Sequence, residues 1–281
     1  MRPSKIERCA EGGWLGVAPG IARGVGMIRG EFRHLRDSGT PVFLGIDLGW
    51  YGKPSGLASI GIVEGRLRLL GLDRIAGQDQ ILAWVAREVG DGDAIAAVDA
   101  PLVIANETGI RRAESELNRD FRRYDAGCHA ANLGRPFATK VLAFSEGLAG
   151  MRFGLGAAME ARAEGRFQIE VHPHAASVNL FDLPRIVKYK RGLRAARAKE
   201  LGRLRGLMME RLAGLTPGFE VKLPGIPRVG NLKPVEDRID AVMCAYIAAY
   251  WWYWGRGRNR VYGDNESGFV VVPDRVVSFP S

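Results

Sequence analysis

The stretch Val42-Phe43-Leu44-Gly45-Ile46-Asp47-Leu48-Gly49-Trp50 decides how the chain is read. The residues leading into Asp47 are almost all apolar, with β-branched and aromatic members. Such a run is a strand buried on both faces, because a strand with one wet face would alternate. A carboxylate at the end of a buried strand costs several kcal/mol unless something pairs with it. Gly49 lets the chain turn away at once. Taken alone, so short a pattern favours the plainer alternative, a turn-forming Asp in Asp-x-Gly.

Further along, Ala94-Ile95-Ala96-Ala97-Val98-Asp99-Ala100-Pro101 repeats the pattern: a buried apolar strand that ends in an acid. Between the two lie Gly56 to Val63 and Arg66 to Leu72, joined by Glu64-Gly65. A loop that short makes the pair antiparallel, and the opening strand completes a meander. Gln78 to Val89 has helical spacing, with Ile81, Leu82, Val85 and Val89 on one face. That helix is a crossover, so the Asp99 strand lies parallel to the opening strand and Asp47 and Asp99 reach the same edge of the sheet. In open α/β sheets the carboxyl edge is where sites form.

Arg166 to Pro173 reads as a further strand with a third acid, Glu170, near its end. Helices are expected over Arg111 to Arg123, Ala138 to Arg152 and Arg194 to Arg211, the last with Leu201, Leu204, Met208 and Leu212 inward. After a Pro/Gly-rich loop from Gly214 to Pro234, a final helix begins Pro234-Val235-Glu236-Asp237-Arg238-Ile239-Asp240. Asp237 and Asp240 share a face. The small residues Ala241, Cys244, Ala245 and Ala248 that follow suit close packing on a sheet. Gly268 to Pro273 makes a last strand, at an edge or in a flap. The class is therefore α/β: a mixed sheet, an antiparallel three-strand meander plus parallel strands, flanked by helices. Residues 1–40, rich in Gly and Arg, read as a loose tail with a short helix around Gly30 to Arg36; residues 41–281 form the domain.

The 281 residues are 47% hydrophobic and 25% charged, an ordinary globular balance. Forty Lys and Arg against 31 Asp and Glu give +9, which suits a polyanionic partner such as nucleic acid. Cys9, Cys128 and Cys244 are scattered, without a CxxC pair, so a reducing cytoplasm fits better than a disulfide framework. The longest apolar run, Ala241 to Trp254, is shorter than the ~20 residues that span a bilayer, and the start lacks the apolar core of a secretory signal. His172-Pro173-His174 has a spacing that zinc accepts, but nothing nearby in sequence completes a tetrahedral set. Structural histidines are favoured there. Trp251-Trp252-Tyr253-Trp254 is read first as packing, with a dimer contact or a base-stacking platform as alternatives.

Four acids from two strand ends, a third strand and a helix suit hard divalent cations, which take oxygen ligands. Two such ions clamp the attacking and leaving oxygens of a phosphodiester. The order of motifs resembles the ribonuclease-H-like superfamily, and within it a bacterial and archaeal family of predicted nucleases. The likeness rests on Gly45-Ile46-Asp47-Leu48-Gly49-Trp50, Val98-Asp99-Ala100-Pro101-Leu102, Glu170-Val171-His172-Pro173, Tyr189-Lys190, Asp237-Arg238-Ile239-Asp240-Ala241 and Gly268 to Pro273. The resemblance implies a nuclease with two Mg²⁺ or Mn²⁺ ions. Asp47 would bridge both, Asp99 and Glu170 would hold one, and Asp240 the other. The Asp-x-x-Asp of the last helix is similar to that of Holliday-junction resolvases, which adds Asp237 to the metal set. The family has Arg and Asp shortly after the second acidic strand; Arg112 and Glu114 stand there in this chain. Arg111, Arg112, Lys188, Lys190 and Arg191 are the expected phosphate contacts, with a solvated helix face as the alternative for the first two. Two other readings stay open: a non-catalytic nucleic-acid-binding protein on the same fold, and an ATP-binding actin-like or sugar-kinase fold, whose first phosphate motif Gly45-Ile46-Asp47-Leu48-Gly49 also resembles.

Overall fold

The computed structural model describes residues 28–29 and 36–276. All of the helix expected around Gly30 to Arg36 except Arg36 itself lies outside the described residues. The described residues build a seven-stranded mixed sheet from β1 (Ile28–Arg29), β2 (Val42–Asp47), β3 (Ser55–Val63), β4 (Arg66–Ile75), β5 (Ala94–Val98), β6 (Gly154–Leu155) and β7 (Arg166–Glu170), in the order β1-β4-β3-β2-β5-β7-β6. The meander β2-β3-β4 is antiparallel, as its short connections demand. β5 runs parallel to β2, and β7 and β6 continue the parallel half. β1 adds two residues of the stretch before residue 41 to the outer side of β4.

The two faces of this sheet are covered by different helices. On one face, α1 (Gln78–Val89) and α3 (Ala138–Gly150) pack over Val42, Leu44, Ile46, Ala96 and Val98. Trp84, fully buried, joins Ile81, Val85 and Val89 on the inward side of α1, while Leu82 is half-buried. On the other face, Phe43, Ile95, Ala97 and Ile169 meet α6 (Lys233–Trp254), with α5 (Arg194–Arg211) outside it. Each large aliphatic side chain so buried contributes about 1.5–3 kcal/mol. α2 (Arg112–Phe121), α4 (Pro173–Leu180) and a separate hairpin of β8 (Asn259–Asp264) and β9 (Gly268–Pro273) form a third cluster beside the parallel edge.

Helix α6 is the organising element. It is buried on nearly every side from Val235 to Trp251, as expected of a helix held between a sheet and further layers. It lies almost on the backbone of the meander. A Cβ placed on Gly45 would stand 1.9 Å from the carbonyl oxygen of Ala241, and one on Gly56 would stand 1.9 Å from that of Asp237. Two glycines in the strands and small residues in the helix thus permit the close packing that the sequence implies. The aromatic end of α6 is packing too: the indole N–H groups of Trp251, Trp252 and Trp254 donate to the carbonyls of Gly156, Ala163 and Thr216.

Four strands or helices are not anticipated by the sequence patterns: the two-residue strands β1 and β6, and α4 and β8. α4 begins at Pro173, where a proline is well placed in a first helical turn; His-Pro otherwise reads as the end of a strand. β8 is a strand of mostly polar residues, and β9 pairs with it rather than joining the main sheet. Among the described residues no helix is long and apolar enough to cross a membrane.

Candidate active site at the carboxyl edge of the sheet

β2 and β5 end side by side. Ile46 is in register with Val98, and the amide of Asp99 donates to the carbonyl of Ile46 at 2.9 Å. Asp47 and Asp99 are therefore neighbours, each one residue beyond the same rung. Side chains alternate along a strand. Phe43, Ile95 and Ala97 face α6, so Asp47 and Asp99 leave their strands toward α6 as well. Asp240, 1% exposed, arrives from the first turns of that helix. Three acids from three elements thus converge, two of them delivered by strand register and one by the glycine-permitted approach of α6.

A cation from the loop between α4 and α5 completes the group. Lys190 Nζ lies 3.0 Å from Asp240 Oδ2, and the Tyr189 hydroxyl donates to Asp240 Oδ1 at 2.6 Å. Among the described residues, the buried Asp240 Oδ2 has no hydrogen bond outside its ion pair with Lys190. Burial raises the pKa of Asp47 well above the ordinary carboxyl value, and the neighbouring Asp240 and Asp99 raise it further, against the pull of Lys190. Burial likewise raises Asp240, with Lys190 and Tyr189 opposing. Burial works to lower Lys190, but the surrounding acids, Asp240 foremost, hold it well above the ordinary lysine value. Burial works to raise Asp99 as well, yet His172 and Lys190 outweigh it and leave Asp99 below the usual range.

The histidines of His172-Pro173-His174 flank this group. His172 Nδ1 is 4.0 Å from Asp99 Oδ1, while its Nε2 meets the carbonyl of Ala126 at 3.1 Å. His174 sits against the Tyr189 ring at 5.6 Å, and burial together with Lys190 lowers its pKa to about 3. Both positions suit the expected structural role. The group opens on a cleft of about 990 Å³, lined among others by Asp99, His172, His174 and Lys190. At its mouth Trp50, 39% exposed, stands edge-on to Phe137 with ring centres 4.3 Å apart.

Glu170 and Asp237 are placed differently. Glu170 is level with Val98, one residue short of the rung on which Asp99 sits. By alternation it leaves β7 on the side away from α6. There Arg111 Nη2 meets Oε1 at 2.6 Å and Nη1 meets Oε2 at 3.0 Å, and the amide of Leu102 donates to Oε2 at 3.2 Å. Arg111 is also held by Glu114. Burial raises Glu170 in spite of the opposing guanidinium. Asp237, one turn before Asp240, pairs with Arg74 at 2.8 Å and Lys233 at 2.7 Å.

The expected phosphate contacts divide in the same way. Arg111 is 2% exposed and fully engaged with Glu170 and Glu114, so the expectation that it grips phosphate does not fit its place; its length serves the interior ion pair instead. Arg112 lies outside, 3.6 Å from Asp264 and paired with Glu116. Lys188 is exposed, 3.0 Å from Asp125, and Arg191 is exposed beside it; both line the cleft with Arg135.

Among the described residues, no group of three or more His, Cys, Asp or Glu side chains is set to hold a metal ion as it stands. The donor chemistry nonetheless fits a hard divalent cation. Asp47, Asp99 and Asp240 carry three negative charges when ionised, and Lys190 returns one. The remaining two are costly in a buried place, and one divalent ion would balance them.

These features define an α/β protein with an acid-lined cleft at the carboxyl edge of a mixed sheet. The chain belongs to the family described as protein of unknown function (DUF429), whose model matches residues 45–267. That span runs from the glycine under α6 to the turn before β9. Comparison with curated proteins and with solved structures finds no match.

Proposed function

We propose that this protein is a metal-dependent nuclease that hydrolyses phosphodiester bonds of nucleic acid, on a ribonuclease-H-like fold. The observation that carries this reading is the convergence of Asp47, Asp99 and Asp240 on one point of the carboxyl edge, where their mutual repulsion and burial favour a bound cation. The fold assignment is supported by chain order: an antiparallel meander, a crossover helix, parallel strands, and a late helix that returns an acid to the first strand. Asp47 and Asp99 would hold Mg²⁺ or Mn²⁺, with Asp240 as a third negative charge beside them. When bound, such an ion polarises a phosphoryl oxygen and lowers the pKa of water. The chain's own groups do the rest. Tyr189 fixes one oxygen of Asp240, Lys190 carries positive charge into the site, and Arg135, Lys188 and Arg191 line the cleft where flanking phosphates would lie.

The test is cleavage of labelled single-stranded, duplex, hybrid and four-way-junction substrates with Mg²⁺ or Mn²⁺, wild type beside Asp47→Asn. The reading expects metal-dependent cleavage of at least one substrate, lost in the variant. Equal cleavage by both proteins would sink it.

A non-catalytic nucleic-acid-binding role is the second reading. It draws support from Lys190, which already supplies a cation to Asp240. Salt-sensitive binding without cleavage under any divalent metal would favour it. The ATP-binding alternative has less behind it. A phosphate loop after β2 needs free amides, yet Gly49 N–H donates to Ser55 Oγ and Lys53 N–H to Trp50 O.

A further inference from the structure

The resemblance implies two ions, one shared by Asp47, Asp99 and Glu170 and one shared by Asp47 and Asp240. Neither half of that arrangement is free. The Asp240 side already holds an ammonium: Lys190 Nζ is 3.0 Å from Oδ2, and Oδ1 is taken by the Tyr189 hydroxyl. On the other side Glu170 lines the same cleft as Asp99 but leaves its strand one residue out of phase with it, and both its oxygens are engaged by Arg111. The charge count agrees. Three carboxylates and one lysine leave two negative charges, enough for one divalent ion; a second would leave a surplus of two positive charges.

Resting on the nuclease reading, we propose that the site takes a single divalent ion, between Asp47 and Asp99, and that the Lys190 ammonium permanently fills the place of the second. Lys190 is suited to this. A lysine ammonium is a compact point charge with three donors on a flexible stem, able to face both a carboxylate and an incoming phosphate oxygen. It is also 32% exposed, so it reaches the cleft as well as the buried acid. Lys190 would then do by fixed charge what the second ion does in a two-ion site: neutralise charge on the oxygen of the reacting phosphate nearest Asp240.

Mn²⁺ titration by calorimetry, without substrate, tests this on the full chain. The wild type should bind one ion. Lys190→Met, which opens the Asp240 side and halves that surplus by removing one positive charge, should bind two, and Lys190→Arg should again bind one. The spectrum of Mn²⁺-saturated wild type by electron paramagnetic resonance should be that of isolated ions. This last measurement needs no variant and so stands even if Lys190→Met does not fold. Two ions in the wild type, or a spin-coupled pair in its spectrum, would overturn the single-ion proposal while leaving the nuclease reading intact. A single ion in folded Lys190→Met would overturn the role given to Lys190. No Mn²⁺ binding by the wild type would overturn the metal-dependent reading itself.

Discussion

Arg111 holds both carboxylate oxygens of Glu170, at 2.6 and 3.0 Å, on the side of the sheet away from Asp47 and Asp99. The pair is buried, with Glu114 as a third member. Removing one partner of such a pair strands the other's charge, at a cost of about 3–5 kcal/mol. Arg111→Ala and Glu170→Gln should each lose stability on that scale in urea denaturation. The triple change Arg111→Met, Glu114→Gln and Glu170→Leu, which leaves no member's charge stranded, should recover most of the loss. Folded Glu170→Gln should keep its Mn²⁺ affinity. Loss of Mn²⁺ binding in that variant would return Glu170 to the metal set.

Asp47 and Asp240 bind protons more tightly in the folded chain than in the unfolded one, because burial disfavours their charge. A raised carboxyl pKa contributes stability below the unfolded value, and that contribution is lost as pH rises through the raised one. At neutral pH without metal the charged Asp47 is therefore a liability. Asp47→Asn should melt at a higher temperature than wild type in a chelator at pH 7, since each tenfold difference in proton affinity between the folded and unfolded chain is worth about 1.4 kcal/mol. Adding Mn²⁺ should narrow or reverse the difference. A lower melting temperature for Asp47→Asn in chelator would contradict the account.

His174 has the opposite sign. Its pKa falls from the ordinary 6.5 to about 3, chiefly by burial. The neutral ring is the folded form, so its contribution is complete above the unfolded value and is lost as pH falls from 6.5 toward 3. Replacing it by Gln should flatten the acid side of the stability profile between those limits. An unchanged slope in a folded His174→Gln protein would show that the histidine is not held neutral.

Gly45 decides how near α6 comes. An added Cβ would stand 1.9 Å from Ala241 O and 2.3 Å from Ala245 N, both backbone atoms that cannot swing aside. Gly45→Ala should cost about 1–3 kcal/mol or more, and it should also weaken Mn²⁺ binding, because Gly45 lies two residues before Asp47 on the same strand and face. Gly150, with open space around its Cβ position, is the control; there the effect should stay within about 0.5 kcal/mol. Equal effects at the two positions would remove the role assigned to close packing.

Trp50 is exposed at the cleft mouth, and Phe137 braces it edge-on. If nucleic acid enters here, Trp50→Ala should weaken single-strand binding by about 1–3 kcal/mol without changing its salt dependence. Arg191→Ala should instead lower the slope of affinity against salt by about one. Binding isotherms at several salt concentrations separate the two. Trp50→Ala with wild-type affinity would move the entry path elsewhere.

Much of this architecture is written locally. The bounds of α1 match the helical spacing of Gln78 to Val89, and Gly90, at a positive φ of 57°, ends it. β2 and β5 follow from unbroken apolar runs, and their parallel direction follows from the helix that must lie between them. The small residues of α6 announce its close packing, because a helix can approach a sheet only where side chains are short. For the same reason the convergence of Asp47, Asp99 and Asp240 is legible: strand ends and a tightly packed helix leave them few other places to go.

Tertiary structure decided the rest. A strand buried on both faces carries no alternation, so its sequence does not say which way a given residue points. Glu170 therefore reads as a third acid of the site until register with β5 puts it one residue out of phase. Arg74 as a partner of Asp237 and Asp125 as the partner of Lys188 are distant in sequence and joined only when the chain is folded. The same is true of Lys190 at Asp240: a Tyr-Lys pair in a loop shows two residue types, whereas a cation inside an acid cluster is a fact of three-dimensional packing. Period and chain order are properties of a line, but pairing and facing are set by register across the sheet and by how near α6 can come.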